Sequence, residues 1–169
     1  MEKSKRIAGL APILPHTPRL LLLGSMPSEQ SIEKQQYYGH ARNHFWKLLC
    51  EILYETDTEQ YADRVKILHT HGIALWDSIG SCERQGSLDQ HIRKETPNNI
   101  PALLQDFPSI QAVAFNGAMA EKVYDRHFAR VAGIHYLRLP SSSPVPSKNY
   151  RNIEDKLPLW LALCTYIAV

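Results

Sequence analysis

Five stretches of this sequence concentrate residue types able to act on a polar, aromatic ligand. Gly24-Ser25-Met26-Pro27 follows four consecutive leucines and suits a tight turn that exposes backbone N–H groups. Tyr37 and Tyr38 are adjacent in a polar run, either as core anchors or as a stacking platform for a base. Asn43 precedes an apolar-periodic segment, where it caps a helix or offers an uncharged amide to a substrate. Asp77 and Ser78 end an apolar run; the carboxylate either organises the following loop or reads a ligand donor. Finally, Ser141, Ser142 and Ser143 lie between Pro140 and Pro144, with Lys148 and Arg151 downstream. Hydroxyls and amides of such a loop hydrogen-bond phosphate oxygens, unless they serve only as turn caps.

Other chemistries are excluded by what is missing. There is no phosphate loop of the G-x-x-x-x-G-K-[ST] type, no dinucleotide fingerprint and no H-E-x-x-H pair. The three cysteines, Cys50, Cys82 and Cys164, form no C-x-x-C pair, which argues against a disulfide framework, a zinc ribbon and a four-cysteine cluster. No metal or organic cofactor is expected, and a reducing cytoplasm is the expected compartment. The formal net charge of +2 makes any nucleic-acid surface a local patch. The leucine run at 20–23 is too short to span a bilayer, and prolines at 12, 15 and 18 break any leader pattern.

The elements that must hold these groups alternate between strand and helix. Strands are expected at 20–23, 73–79, 110–115 and 134–139, each running into a loop with glycine or proline. Helices are expected at 42–54, starting near Asn43, and at 58–71, 100–105, 118–128 and 153–167. Asn116 is expected as an N-cap, Pro158 near a first turn or a break, and Trp46, Trp76 and Trp160 in the core. At 169 residues, 44% hydrophobic and 21% charged, the chain fits one domain, with 1–18 irregular. The fold class is α/β, a three-layer α/β/α sandwich with a small central parallel sheet. Ligands of such sheets bind at the carboxyl ends of the strands, where the loops above converge.

The ordered set Gly24-Ser25-Met26-Pro27-Ser28, Tyr37-Tyr38, Asn43-x-Phe45-Trp46, Leu75-Trp76-Asp77, Gly86-Ser87-Leu88-Asp89, Phe115-Asn116-Gly117 and Leu139-Pro140-Ser141-Ser142-Ser143-Pro144 resembles the DNA-deoxyinosine glycosylases. These are a branch of the uracil-DNA glycosylase superfamily, and the resemblance covers residues 19–165. It implies excision of deaminated bases, hypoxanthine and also uracil or xanthine, from DNA. Asn43 matches the branch's catalytic asparagine. Met26 stands where several branches carry a water-handling Asp or Asn, and a thioether cannot activate water. Leu139 stands where some carry a leaving-group histidine.

The resemblance also makes Tyr38, with Tyr37 as the other choice, the base-stacking aromatic. Gly24, Ser25, Met26, Pro27, Asp77 and Ser78 become substrate contacts. Ser141, Ser142, Ser143 and Lys148 become DNA contacts, while Val145, Pro146 and Lys148 are candidates to fill the vacated stack. The expected partner is DNA bearing deaminated bases, met by a monomer away from any membrane. No lysine is placed for a Schiff base, so no lyase step is expected. The alternatives are a uracil-preferring enzyme of the same superfamily and a non-catalytic nucleic-acid-binding module.

Overall fold

The computed structural model describes residues 5–167. Its centre is a four-stranded, all-parallel sheet of β2 (Leu20–Gly24), β3 (Ile73–Asp77), β6 (Ala112–Asn116) and β7 (His135–Leu139), in the order β3-β2-β6-β7. Parallel strands covered on both faces read as unbroken apolar runs rather than alternating ones, as Leu20–Leu23 does. Successive leucines feed opposite faces. Leu20 and Leu22 pack with Leu75, Trp46, Leu49, Leu68 and Trp160 under α2 (Phe45–Ile52), α3 (Tyr61–His71) and α6 (Ile153–Trp160). Leu21 and Leu23 pack with Val113, Phe115, Ile100, Leu104 and Tyr124 under α4 (Ile100–Asp106) and α5 (Ala118–His127). Trp46 and Trp160 are core residues, and Trp76 is half-buried at the second face.

The chain runs from β2 outward to β3, then returns across β2 to β6 on its other side. That reversal opens a crevice at the carboxyl ends of β2 and β6, where loops leave in opposite directions. The parallel register sets Gly24 beside Asp77 and Asn116 beside Leu139, so four loops emerge at one level.

Several details depart from the sequence expectation. The segment expected to be irregular contains β1 (Arg6–Ala8), and Ile13 bridges to Leu75. The apolar run expected as one strand at 73–79 divides at Ser78: β3 stays in the parallel sheet, and β4 (Ile79–Glu83) turns away. With β1 and β5 (Arg93–Pro97), β4 makes a separate antiparallel sheet in the order β1-β4-β5. Gly80 is therefore a strand residue, not a loop residue. Strand β5 reads RKETP; a polar edge strand carries no apolar alternation to betray it.

A short helix, α1 (Glu29–Lys34), interrupts the loop expected over 24–40, with the Ser28 hydroxyl accepting from the Ser31 amide. Pro158 lies inside α6, and the helix tightens to a 3-10 form over Leu161–Tyr166. Among the described residues no helix is long and apolar enough to cross a membrane.

Candidate active site

The crevice at the carboxyl ends of the strands holds a pocket of about 590 Å³. Its floor is Gly24. A methyl carbon added there would overlap Asp77 Oδ1 and stand 2.8 Å from the Tyr38 hydroxyl, so both polar atoms hang over the bare Cα of this glycine. The three residues that converge come from different segments, and the register of β2 with β3 sets their meeting point.

The two tyrosines separate in role. Tyr37 is 3% exposed, its hydroxyl donates to Ala11 O at 2.8 Å, and its carbonyl accepts from Trp46 Nε1 at 3.0 Å. It touches the pocket but is spent on anchoring the segment before β2. Tyr38 adopts a left-handed backbone conformation with φ at +52°. Its ring stacks on Phe45 with centroids 3.9 Å apart and planes 15° from parallel. Asn116 Nδ2 donates to its hydroxyl at 3.0 Å. A ring held on one face and at its tip is a rigid wall for a flat ligand.

Asn43 lines the pocket, and it is not the first-residue cap that the sequence suggested. The N-cap of α2 is His44, without a side-chain bond, and Asn43 Oδ1 accepts from the Phe45 amide at 2.9 Å. With that oxygen engaged by the backbone, the Nδ2 hydrogens are the donors the side chain offers a ligand.

Asp77 is 4% exposed, and its Oδ2 is buried without a hydrogen-bond partner. Burial, reinforced by the Asp89 carboxylate and opposed by Arg84, pushes its pKa up to about 7. The loop-organising role belongs to other groups. Asn98 Nδ2 donates to the Asp77 carbonyl at 2.8 Å, and Arg84 binds the Gly86 and Pro27 carbonyls. The Asp77 carboxyl lines the pocket with its Oδ2 unpartnered.

The first loop contributes unevenly. Ser25 Oγ donates to Asp89 Oδ1 at 2.8 Å and ties the loop to the opposite wall. Met26, 7% exposed, lines the pocket and packs with Ile79, Cys82 and Val123, and Pro27 lines it as well. Ser78, expected as a substrate contact, does not line the pocket: it is 1% exposed and its hydroxyl donates to Ala120 O at 2.8 Å, pinning α5.

The serine loop forms the remaining wall. Ser142 is buried, its amide donating to Asn116 Oδ1 at 2.8 Å while its hydroxyl accepts from Asn116 Nδ2 at 2.8 Å. Asn116, expected as a cap, does no capping: Gly117 is the N-cap of α5. Its amide instead braces Tyr38 and Ser142 at once. Nothing local marks this role, since both partners are remote in sequence. Ser141 Oγ accepts from the Ser143 amide and Ser143 Oγ from the Val145 amide, so each hydroxyl proton stays free to be donated outward. Gly117, at φ +95°, lets the loop approach; a Cβ there would sit 3.1 Å from Ser141 Cβ. Lys148, expected as a DNA contact, is exposed and outside the lining, while Val145 stands on the rim, 62% exposed. Among the described residues no group of three or more His, Cys, Asp or Glu is placed to hold a metal ion.

Three comparisons bear on this geometry. The family model described as Uracil DNA glycosylase superfamily matches residues 11–164. A protein of Methanosarcina barkeri named hypoxanthine DNA glycosylase is 37% identical over 153 residues, spanning 90% of this chain and 94% of the relative. One of the same name from Methanosarcina acetivorans is 34% identical over 149 residues, spanning 88% and 93%. A solution NMR structure of a Methanosarcina acetivorans protein, described as a candidate uracil DNA glycosylase, superposes with a TM-score of 0.75 at 31% identity, over 94% of this chain and 99% of that one.

Proposed function

The chain belongs to the Uracil DNA glycosylase superfamily, and on that footing we propose that it is a DNA glycosylase for deaminated bases with hypoxanthine as its substrate. The observation that carries the reading is the convergence of Asn43, Tyr38 and Asp77 around the Gly24 floor, beneath a loop of outward-donating serines. A base inside a duplex is unreachable, so the target nucleotide leaves the stack and enters this pocket. Tyr38 offers the flat wall, and the Ser141 and Ser143 hydroxyls take the flanking phosphates. Val145, apolar and exposed on the rim, fits the gap left in the stack.

Hydrolysis joins a water oxygen to C1′ while the C1′–N9 bond breaks and its electron pair leaves with the base. The water proton ends on the departing base. Positive charge builds on the sugar and negative charge on the base, so the useful groups are donors aimed at the base and a fixed place for water. Asn43 Nδ2 supplies such a donor. Asp77 in its neutral form matches the lactam edge of hypoxanthine, accepting from N1–H and donating to O6. No metal or organic cofactor is required by this scheme. The enzyme works as a monomer in the cytoplasm.

The deciding experiment is single-turnover cleavage of a labelled duplex with one deoxyinosine, followed by alkali, beside a uracil duplex. Strand scission at deoxyinosine is expected. Scission at uracil alone would replace the substrate assignment with a uracil-preferring enzyme. No scission of either by folded protein would leave a binding module.

Asp77 gives a second expected result. Its folded pKa, about 7, lies above the ordinary carboxylate value of about 3.9. The native state therefore favours the protonated acid. The stability this group contributes is full below about pH 4 and is lost as pH rises through about 7, by at most about 4 kcal/mol. Asp77→Asn should raise the melting temperature at pH 8 and do so less at pH 5. Excision by the wild type should fall above pH 7 as the donor to O6 is lost, and Asp77→Asn should flatten that limb. Besides Asp89 and Arg84, the Tyr38 and Tyr37 phenols face this carboxyl, and burial keeps both protonated across the range. An alkaline limb unchanged in Asp77→Asn would remove Asp77 from base recognition.

A further inference from the structure

Behind the serine loop lies a charge that the pocket itself does not show. Lys156, in α6, is 2% exposed, although lysine is almost never fully buried unless paired. Among the described residues its partners are neutral. Its Nζ donates to Ser143 O at 2.9 Å and meets His44 Nδ1 at 3.1 Å. Burial lowers the lysine pKa from its ordinary value. Burial, with the adjoining Lys156, lowers that of His44 too, keeping the imidazole a neutral acceptor at Nδ1.

The same side of the loop is held at two further points. His44 N–H donates to Ser142 O at 2.9 Å, and Trp160 Nε1 donates to Pro140 O at 3.0 Å. Three carbonyls of the loop thus point back into α2 and α6. In a trans peptide the carbonyl and the next N–H are antiparallel. Turning the Pro140 and Ser142 carbonyls inward therefore turns the Ser141 and Ser143 amides toward the pocket side. The negative ends of these dipoles are removed from the path of a phosphate, and a buried cation stands behind them.

We propose that Lys156 is the positioning cation of the serine loop: it fixes the Ser142–Ser143 backbone and supplies positive potential to the phosphate flanking the flipped nucleotide. The inference rests on the glycosylase reading above. It explains how a chain of net charge +2, whose Lys148 and Arg151 are exposed and away from the lining, holds a polyanion at this point. Low local dielectric makes one buried charge act over a longer distance than a solvated one.

The test compares wild type, Lys156→Met and Lys156→Gln. Two duplexes are used: one with deoxyinosine for single-turnover excision, and one with a tetrahydrofuran abasic analogue for binding by fluorescence anisotropy. Salt is varied from about 50 to about 200 mM. Lys156→Met is expected to weaken binding about tenfold and to reduce the slope of log affinity against log salt by up to about 0.9. Excision at saturating enzyme should fall by less than about threefold, because the chemistry lies elsewhere. Lys156→Gln keeps a donor for Ser143 O but not the charge, and should bind as weakly as Lys156→Met. It also carries the test if the methionine variant fails to fold. Wild-type affinity and salt slope in Lys156→Gln would overturn the proposal, as would a loss confined to the saturated rate. Wild type that neither cleaves deoxyinosine nor binds the abasic duplex would instead overturn the glycosylase reading.

Discussion

Asn43→Ser is expected to reduce deoxyinosine excision by about 100- to 1000-fold while the protein stays folded, the usual cost of removing one donor from a charge-stabilising site. The argument turns on how the amide is divided. Its oxygen accepts from the Phe45 amide across two residues, a bond that a serine hydroxyl also makes. Its nitrogen is the part that serine cannot replace. A residue serving only as a turn former would tolerate the exchange with little change in melting temperature or rate. One that aims a donor at the departing base, or at the attacking water, would not. Asn43→Ala separates the two contributions further, since it loses both. The measurement is the single-turnover rate beside the thermal midpoint, and a serine variant within about tenfold of wild type would move Asn43 out of the chemistry.

Gly24→Ala is expected to be nearly as damaging, from the opposite cause. Here nothing is removed. The added methyl overlaps Asp77 Oδ1 and crowds the Tyr38 hydroxyl at 2.8 Å. Neither neighbour gives way easily: Tyr38 is stacked on Phe45 and bonded to Asn116, and the Asp77 backbone is locked in register with β2. Overpacking of this kind costs about 1–3 kcal/mol. The larger consequence is at the site, because displacing two walls of a binding pocket by even an ångström costs about 100-fold in rate. A combined Gly24→Ala, Asp77→Gly variant removes the tighter of the two overlaps and leaves the one with the Tyr38 hydroxyl. It should regain part of the lost stability and none of the excision, since the proposed base-reading carboxyl is gone. Excision near the wild-type rate in Gly24→Ala alone would show that the substrate does not lie over this glycine.

Much of this arrangement was legible because it is local or periodic. The Leu20–Leu23 run announces a strand buried on both faces, and strand-end loops in a parallel sheet must gather at one edge. The members of that gathering follow once the alternation is read. What escaped is held by partners remote in the chain. Asn116 looks like a cap because asparagine before a helix usually is one, yet its amide is engaged by Tyr38 and Ser142. Ser78 looks like a site residue because it follows Asp77, but the chain turns there into another sheet and carries its hydroxyl to α5. Lys156 looks like one more charge on an amphipathic helix. Only the packing of α6 on the serine loop shows it to be buried.

Met26 lines the pocket, and its side chain packs with the small cluster of Ile79, Cys82 and Val123. An Asp or Asn at this position, the water-handling residue types that the resemblance implies for other branches, would place a polar group among apolar neighbours. A lone unpartnered charge there is destabilising by several kcal/mol, against a total of about 5–15 for a domain. A polar substitution of Met26 alone is thus expected to cost stability unless the neighbouring cluster is rebuilt with it. The packing of one methionine ties the chemistry open to this position to the residues behind it.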